Sequence, residues 1–171
     1  LPGAAACITA LTMSGRSTRR FAFEAFLPKE KKERLAILEE LKQETRTIIL
    51  YEAPHHLVKT IKELMEVLGD RELTVCRELT KKHEEKMQMT FSALLAYYEE
   101  REPRGEYVLV ISGKSRIEIQ KEKQSFWETM TIEEHMQYYE NQSISRKEAM
   151  KLVAKDRGVS KRDIYQYLLE N

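Results

Sequence analysis

The chain has 171 residues, of which 42% are hydrophobic and 33% are charged. A chain of this size and composition can bury a real hydrophobic core, which excludes a disulfide-stapled miniprotein and global disorder. Lysine and arginine number 29 against 28 aspartates and glutamates, so attraction to nucleic acid must come from a local patch.

The cysteines and the apolar runs indicate where the protein works. Cys7 and Cys76 are far apart and lack a CxxC or histidine spacing, which predicts a reduced, cytoplasmic chain without a metal site. The longest apolar runs, such as 107–111, reach about a quarter of the roughly 20 residues that a membrane helix needs, so we predict no membrane association. Because the chain starts at Leu1 and not at Met, we expect a fragment of a longer protein.

Helix and strand patterns alternate over residues 1–113. In chain order they predict helix 4–14, strand 21–26, helix 29–42, strand 47–51, helix 54–68, strand 72–79, short strand 87–91, helix 92–101 and strand 107–111. The uniformly apolar runs TIILY and YVLVI are typical of strands buried on both faces of a parallel sheet. Their alternation with helices predicts an α/β fold with right-handed βαβ crossovers.

The composition changes after residue 113. Of the 12 residues at 114–125, eight carry charged or amide side chains, so we predict a linker there. Residues 126–171 then show only helical patterns, at 131–141, 145–157 and 160–169. Ser145, followed three residues later by Glu148, predicts a capping box at the start of the second of these helices.

The tail has the pattern of a helix-turn-helix. Ala154, Gly158 and Ile164 have the spacing that two helices need to cross steeply over a short glycine turn. The last 30 residues carry seven basic against four acidic side chains, which favours phosphate contacts, with Lys161 and Arg162 as candidates. A helical hairpin with a solvated surface explains the same pattern, and nothing in the sequence separates RNA from DNA.

Polar or small residues cluster where predicted strands end or a helix begins. Glu52-Ala53-Pro54-His55-His56 follows one strand, Arg77–Lys81 with Glu84 follows another, and small residues occupy positions 2–6. Ligands of open α/β sheets bind beyond the carboxyl ends of the strands, so we expect the three clusters to converge. Each alone is also typical of a surface loop or ion-pair cluster. The dinucleotide, P-loop, serine-hydrolase and kinase motifs are not found in the sequence.

Five segments together resemble a known family. They are LPGAAACITAL, FAFEAFLPKEKKER, TIILYEAPHHL, VCRELTKKHEE and PRGEYVLVISG, in the family's order over residues 1–113. The chain resembles the C-terminal part of a tetrapyrrole methylase superfamily protein, most of all the branch that methylates a ribose 2′-hydroxyl of a cytidine in small-subunit ribosomal RNA. The basic helical tail is similar to the one that this branch carries.

The resemblance implies a two-lobed enzyme, commonly a homodimer, with S-adenosylmethionine in the cleft between the lobes and S-adenosylhomocysteine as its product. It implies that residues 1–113 form the C-terminal lobe, a mixed sheet flanked by helices, that 126–171 form a helix-turn-helix-like tail, and that the N-terminal lobe is absent. The implied partner is small-subunit ribosomal RNA, and the isolated fragment is expected to be inactive.

The matched motifs also imply roles for individual residues. The implied cofactor contacts are Gly3, Ala4, Ala5, Ala6, Tyr51, Glu52, Pro54, Met89 and Thr90. The implied RNA contacts are His55, His56, Arg77, Lys161 and Arg162. Glu78 and Glu84 are candidates for the base that accepts the hydroxyl proton, and Lys81 is a candidate to hold an adjacent phosphate.

Three positions depart from the family's usual residues. His56 replaces an arginine that would grip phosphate, Met89 replaces a glycine, and Ala25 replaces another glycine. Two other functions stay open. A methyltransferase acting on a small tetrapyrrole has no evident use for the basic tail, so deleting 126–171 discriminates it. A nucleic-acid-binding regulator predicts duplex binding without methyl transfer.

Overall fold

The protein consists of two compact units. The structure is a computed structural model that describes Gly3 and residues 5–170. One unit extends to Lys114 and the other begins at Ser115. We call them the sheet unit and the helical unit.

The sheet unit contains all nine elements predicted for residues 1–113. Its elements are α1 (Ala6–Met13), β1 (Phe21–Ala25), α2 (Lys31–Lys42), β2 (Thr47–Glu52), α3 (Pro54–Leu68), β3 (Glu72–Arg77), β4 (Glu85–Thr90), α4 (Phe91–Tyr97) and β5 (Tyr107–Ile111). Pro54 occupies the first turn of α3, where its missing N–H costs no hydrogen bond. Gly69 ends α3 as predicted, with a φ of 79°.

The five strands form one mixed sheet in the order β1-β2-β5-β3-β4. β1 and β2 are parallel, whereas β2 with β5, β5 with β3, and β3 with β4 are antiparallel. The prediction of a parallel sheet is therefore wrong for three of the four pairs, and the mixed sheet implied by the resemblance is confirmed. A continuous apolar run reports burial on both faces, and it does not encode the direction of the neighbouring strand.

Helices cover both faces of this sheet. On one face Leu50 and Leu109 pack with residues of α2, α3 and α4, among them the fully buried Leu64. On the other face Leu11 of α1 packs against Ile49. Because each fully buried leucine or isoleucine contributes about 1.5–3 kcal/mol, the two layers hold the strand ends at fixed positions.

The helical unit contains four helices among the residues that the structure describes. They are α5 (Arg116–Glu128), α6 (Ile132–Glu140), α7 (Arg146–Arg157) and α8 (Lys161–Glu170). The polar linker predicted for 114–125 is therefore wrong, because most of it is α5. Ser115 and Glu118 form a capping box at its start, and Trp127 is buried near its end. The polar side chains belong to the solvent-exposed surface of a helix.

The capping box predicted for Ser145 is absent, since this side chain makes no capping hydrogen bond. Glu148 instead pairs with Lys151, with 3.0 Å between Oε2 and Nζ. A second capping box forms at the start of α6, where Thr131 and Glu134 satisfy each other's backbone N–H groups. The right residue spacing thus does not ensure the reciprocal bonds, because a glutamate one turn into a helix also has lysines within reach.

The predicted turn between α7 and α8 is present. Gly158 ends α7 in the left-handed region with a φ of 67°, where a side chain would be strained. The N–H of Val159 donates to the carbonyl oxygen of Ala154 at 3.0 Å, and Ile164 is buried in the helical core with Ala154. The three residues therefore form the tight helix crossing that their spacing predicts.

Candidate functional site

The carboxyl ends of three strands lie together at one end of the sheet, and we call this end its carboxyl edge. β1, β2 and β3 run in the same direction, because β2 and β3 are both antiparallel to β5 between them. Glu52 and Arg77 both lie opposite Tyr107, the first residue of β5, and Arg77 also lies opposite Glu85, the first residue of β4. The predicted convergence of polar strand ends is therefore present, although the sheet is not parallel.

A cavity of about 490 Å³ opens at this edge, on the side of the sheet covered by α1. We call it the edge cavity. Its walls include four of the residues implied to contact a cofactor, namely Ala6, Tyr51, Glu52 and Pro54. Glu106, which precedes β5, also lines it. The volume lies within the roughly 300–1,000 Å³ of small-molecule sites.

Tyr51 connects the start of α1 to the sheet. Its hydroxyl oxygen accepts a hydrogen bond from the N–H of Cys7 at 3.0 Å. The rings of Phe23 and Phe26 pack edge-on against its ring, with centroids 5.1 and 5.7 Å away. Burial raises the pKa of the Tyr51 hydroxyl. Tyr51 therefore stays a neutral anchor that fixes the first turn of α1 beside the edge cavity.

Glu52 is a buried carboxylate in the wall of the edge cavity, with 6% of its surface exposed. It accepts hydrogen bonds from the hydroxyl of Thr60 at 2.5 Å and from the N–H of Ala53 at 2.8 Å. Thr60 in turn accepts from Nη2 of Arg34 at 2.8 Å. This chain of donors compensates the desolvation of the carboxylate, so the edge cavity has one fixed anionic wall.

The loop after β3 is held in a strained conformation. Glu78 and Thr80 have φ values of 52° and 66°, a left-handed region that costs a non-glycine residue about 1–2 kcal/mol. The Glu78 carboxylate accepts from the N–H of Glu106 at 2.9 Å and from Nζ of Lys81 at 3.1 Å. Glu84 accepts from the N–H of Thr80 at 2.6 Å. The bond from Glu106 ties the loop to a residue that lines the edge cavity, and the other two hold the shape of the loop itself.

This geometry bears on the residues implied to be catalytic. The N–H of Glu106 first, and then Lys81, hold the pKa of the Glu78 carboxyl below its usual range. Lys81 is also bound to the carboxylate of Glu106 at 3.0 Å. A carboxylate with a lowered pKa and two donors already bound is a weak proton acceptor. The contacts therefore favour a positioning role for Glu78.

Met89 and Thr90, implied to contact the cofactor, lie at the opposite end of the sheet, where β3 begins. β4 runs antiparallel to β3, so its carboxyl end pairs with the start of β3, where Thr90 is opposite Glu72. There Thr90 caps α4 by accepting from the N–H of Ala93 at 3.3 Å. The antiparallel direction of β4 therefore keeps these two residues away from the edge cavity. The sequence could not predict this, because a motif match carries no information on strand direction.

The remaining implied cofactor contacts and the two histidines lie near the starts of helices. Gly3 and Ala5 are exposed before α1, and Ala4 lies outside the described residues. His55 and His56 are exposed in the first turn of α3, with ring centroids 4.1 Å apart. Both imidazoles are therefore open to solvent.

Arg77 is not available as a free cation. Its guanidinium pairs with the carboxylate of Glu85 at 3.0 Å. Lys161 and Arg162 start α8 of the helical unit, with Arg162 exposed and Lys161 partly so. Glu106, which holds both Glu78 and Lys81, is not among the residues predicted from the sequence. Its only signal is its place immediately before a buried strand.

Membrane-spanning helices and metal clusters are both missing from Gly3 and residues 5–170. No helix there is long and apolar enough to cross a membrane. No group of three or more histidines, cysteines, aspartates or glutamates in that part of the chain lies close enough together to hold a metal ion.

Several named proteins are similar to this chain in sequence. The ribosomal RNA small subunit methyltransferase I of Bacillus subtilis is 46% identical over 165 residues, which cover 96% of this chain and 56% of the relative. The protein of the same name from Halalkalibacterium halodurans is 41% identical with the same coverage. The one from Synechocystis is 40% identical, covering 99% of this chain and 60% of the relative. The chain thus spans 56–60% of the length of these relatives.

Structural and family comparisons point the same way. A solved cobalt precorrin-4 methyltransferase of cobalamin biosynthesis superposes with a TM-score of 0.50 at 18% identity, covering 66% of this chain and 50% of its own. This likeness concerns the fold alone. The sequence profile of tetrapyrrole (corrin/porphyrin) methylases matches residues 1–95, and on that match the chain belongs to the tetrapyrrole methylase family.

Proposed function

We propose that this chain is part of an S-adenosylmethionine-dependent methyltransferase that methylates the ribose 2′-hydroxyl of a cytidine in small-subunit ribosomal RNA. The observation that carries the proposal is the edge cavity, which joins Ala6, Tyr51 and Glu52 at one end of the sheet. The names of the relatives support the substrate class. Since those relatives are longer than this chain, we propose that the cavity is one side of a cleft between two lobes.

The residues of the edge cavity fit the proposed cofactor. S-adenosylmethionine carries a positive sulfonium and ammonium beside a flat purine, and Glu52 gives the cavity a fixed anionic wall. The short side chain of Ala6 leaves backbone open at the start of α1. When bound, S-adenosylmethionine supplies an electrophilic methyl group and leaves as neutral S-adenosylhomocysteine.

This chain's own residues would then hold the reactants in line. Positioning of a donor and an acceptor can supply a large part of a rate enhancement. We assign the loop 78–84 to the substrate side, where Glu78 and Glu84 hold its shape and Lys82 and His83 are exposed. In this proposal Glu78 is a positioning residue that holds the shape of the loop.

Two exposed aromatic side chains support a further part of the proposal. Phe23 and Phe26 are 45% and 61% exposed. Phe23 lies in β1, Phe26 follows the last residue of β1, and β1 is an outer strand of the sheet. Exposed aromatic residues beside an open strand edge are favourable for contact with another copy. We therefore include a homodimer in the proposal. The free cysteines Cys7 and Cys76 support a reducing, cytoplasmic location, which we propose as well.

The proposed function is tested by calorimetric titration of S-adenosylhomocysteine. The joined protein is the Bacillus subtilis relative with its matching 56% replaced by this chain. We expect the joined protein to bind S-adenosylhomocysteine, and the 171 residues alone to bind it much more weakly or not at all. Glu52→Gln keeps the shape of the side chain and removes the anionic wall, so we expect the joined protein to bind S-adenosylmethionine, which carries the sulfonium charge, about tenfold more weakly, with a smaller loss for S-adenosylhomocysteine. A joined protein that folds and binds no S-adenosylhomocysteine would contradict the proposal.

The role of Glu78 is tested by Glu78→Gln in the same joined protein. The amide oxygen still accepts from the N–H of Glu106, so a positioning residue predicts a methylation rate within a few-fold of wild type. A general base predicts a loss of about 100- to 10,000-fold. The pH profile of methylation separates the two roles as well, because losing a base removes its acidic limb. Retention of that limb with near-normal turnover is the expected result.

A further inference from the structure

A second cavity, of about 560 Å³, opens on the other side of the sheet, beside α2 and α3. One wall is the connection from β1 to α2, including Lys29, and the other is the first two turns of α3, including His55, His56 and Lys59. It shares Phe26, Glu52 and Ala53 with the edge cavity. We call it the cationic cavity, because lysine and histidine side chains line its mouth.

The cations at this cavity outnumber the carboxylates that pair with them. Among the described residues, no carboxylate forms an ion pair with Lys29, whose side chain lies at the rim. Lys59 is 3.8 Å from Oε1 of Glu63, whose Oε2 is bound to Nε of Arg34 at 2.7 Å. Glu63 thus serves two cations, and within the described part of the chain Lys29 has no carboxylate of its own.

The carboxylate in the wall does not cancel this excess at the surface. Glu52 is buried and already accepts bonds from Thr60 and from the N–H of Ala53. In contrast, the side chain of Lys59 is 73% exposed, and His55 and His56 are exposed as well. The mouth of the cavity therefore presents ammonium and imidazole groups to solvent, and its anion lies at the base.

We propose that the cationic cavity binds a backbone phosphate of single-stranded RNA through Lys29, Lys59 and His56. The inference rests on the proposed function, because that function makes an RNA strand pass the edge of the sheet. A phosphate held here lies next to the cavity proposed for the methyl donor, since the two share Glu52 and Ala53.

The first test is lysine acetylation of the 171-residue chain, read by mass spectrometry with and without a 12-nucleotide single-stranded RNA. We expect RNA to slow acetylation of Lys29 and Lys59 by about fivefold or more. Lys32 and Lys62 are exposed on α2 and α3 and do not line the cavity, so they serve as internal controls. Equal protection of all four lysines, or none, would overturn the proposal.

The second test compares two charge-matched variants by fluorescence anisotropy with the same RNA. We expect Lys29→Gln/Lys59→Gln to weaken binding about tenfold and to reduce the slope of log K against log salt by about 0.7 for each phosphate that is no longer neutralised. Lys32→Gln/Lys62→Gln changes the same net charge and should keep the wild-type slope. Equal losses in both variants would show that general attraction, and no specific site, accounts for binding.

Two further arms separate this inference from its alternatives. Inorganic phosphate at constant ionic strength should compete with RNA only weakly, because one phosphate lacks the neighbouring nucleotides; strong competition would assign the cavity to free phosphate. Protection of Lys29 and Lys59 by an acidic peptide in place of RNA would assign it to a protein partner. In the joined protein, Lys29→Gln/Lys59→Gln should bind S-adenosylhomocysteine as wild type does. RNA binding and cofactor binding are measured separately, so a failure of the proposed cofactor site does not change what the RNA measurements show.

Discussion

Replacing Arg71 by methionine is expected to destabilise the sheet unit by about 3–5 kcal/mol. Arg71 is buried and its guanidinium donates to three carbonyl oxygens: those of Leu68 at 3.2 Å, Lys42 at 2.8 Å and Ser112 at 3.5 Å. These atoms belong to the ends of α3 and α2 and to the residue after β5. Without the arginine, backbone acceptors from three elements lose their donor inside the protein, and each such loss is costly.

The measurement is thermal unfolding followed by far-ultraviolet circular dichroism. A loss of 3 kcal/mol corresponds to a Tm lower by about 10 °C or more for a domain of this size. The matched control is Arg101→Met, which removes an exposed guanidinium that contacts Tyr97 at the end of α4, and this variant should change stability by less than about 0.5 kcal/mol. A Tm for Arg71→Met within about 2 °C of wild type would contradict the role assigned to it.

The stability of the helical unit is expected to fall with acidity because of His135. This side chain is fully buried, and its ring stacks on Trp127 with centroids 3.9 Å apart. Nδ1 accepts from Nε of Arg157 at 3.2 Å, so the proton of the neutral ring is on Nε2, which lies 3.4 Å from the carboxylate of Asp156. Burial first, and then the charge of Arg157, lower the pKa of His135.

The sign of the pH effect follows from this lowered pKa. Below the ordinary histidine pKa of about 6.5, the unfolded chain takes up a proton that the folded chain refuses. The contribution of His135 is therefore fully present above pH 6.5 and is lost as the pH falls below it, by at most about 1.4 kcal/mol per pH unit for one proton. Asp156, which is also bound by the hydroxyl of Tyr139 at 2.5 Å, opposes the effect only in part.

Urea unfolding between pH 8 and pH 5, followed by the fluorescence of the sole tryptophan, measures this dependence. His135→Gln should be less stable than wild type at pH 8, since it loses the stacked ring, and should show a flatter profile below pH 6.5. His83→Gln removes an exposed histidine and should leave the profile unchanged. A profile for His135→Gln as steep as that of wild type would assign the acid sensitivity to other groups.

Local patterns in the sequence were sufficient for most of the fold. The apolar run at β2 and the glycines at the ends of α3 and α7 predict elements that the structure contains, because burial and positive φ leave direct marks on residue type. Strand direction leaves no such mark on residue type, and so the prediction of a parallel sheet was wrong for three of the four strand pairs. The prediction of a linker at 114–125 was wrong for a related reason. Polar residues are typical of a linker and of the exposed surface of a helix alike, and here they belong to α5.

The candidate site was predictable where its residues adjoin a strand end. Ala6, Tyr51, Glu52 and Pro54 meet at the edge cavity because their strand and helix boundaries were predicted correctly. Met89 lies away from the edge cavity, because its position depends on the direction of β4, which runs antiparallel to β3. The pairings of Glu106 and Arg71 could not be predicted, since their partners lie far away in sequence and depend on the finished sheet.

The place of β5 in the sheet constrains the order in which the protein can assemble. Among the residues that the structure describes, β5 is the last strand, and it lies between β2 and β3, so during synthesis those two strands expose open edges until residue 111 has left the ribosome. Open edges of apolar strands invite pairing with other chains. The profile match ends at residue 95, before Tyr107 begins β5. A polypeptide cut at that boundary would keep most of the recognisable family sequence and lose the strand that completes its sheet.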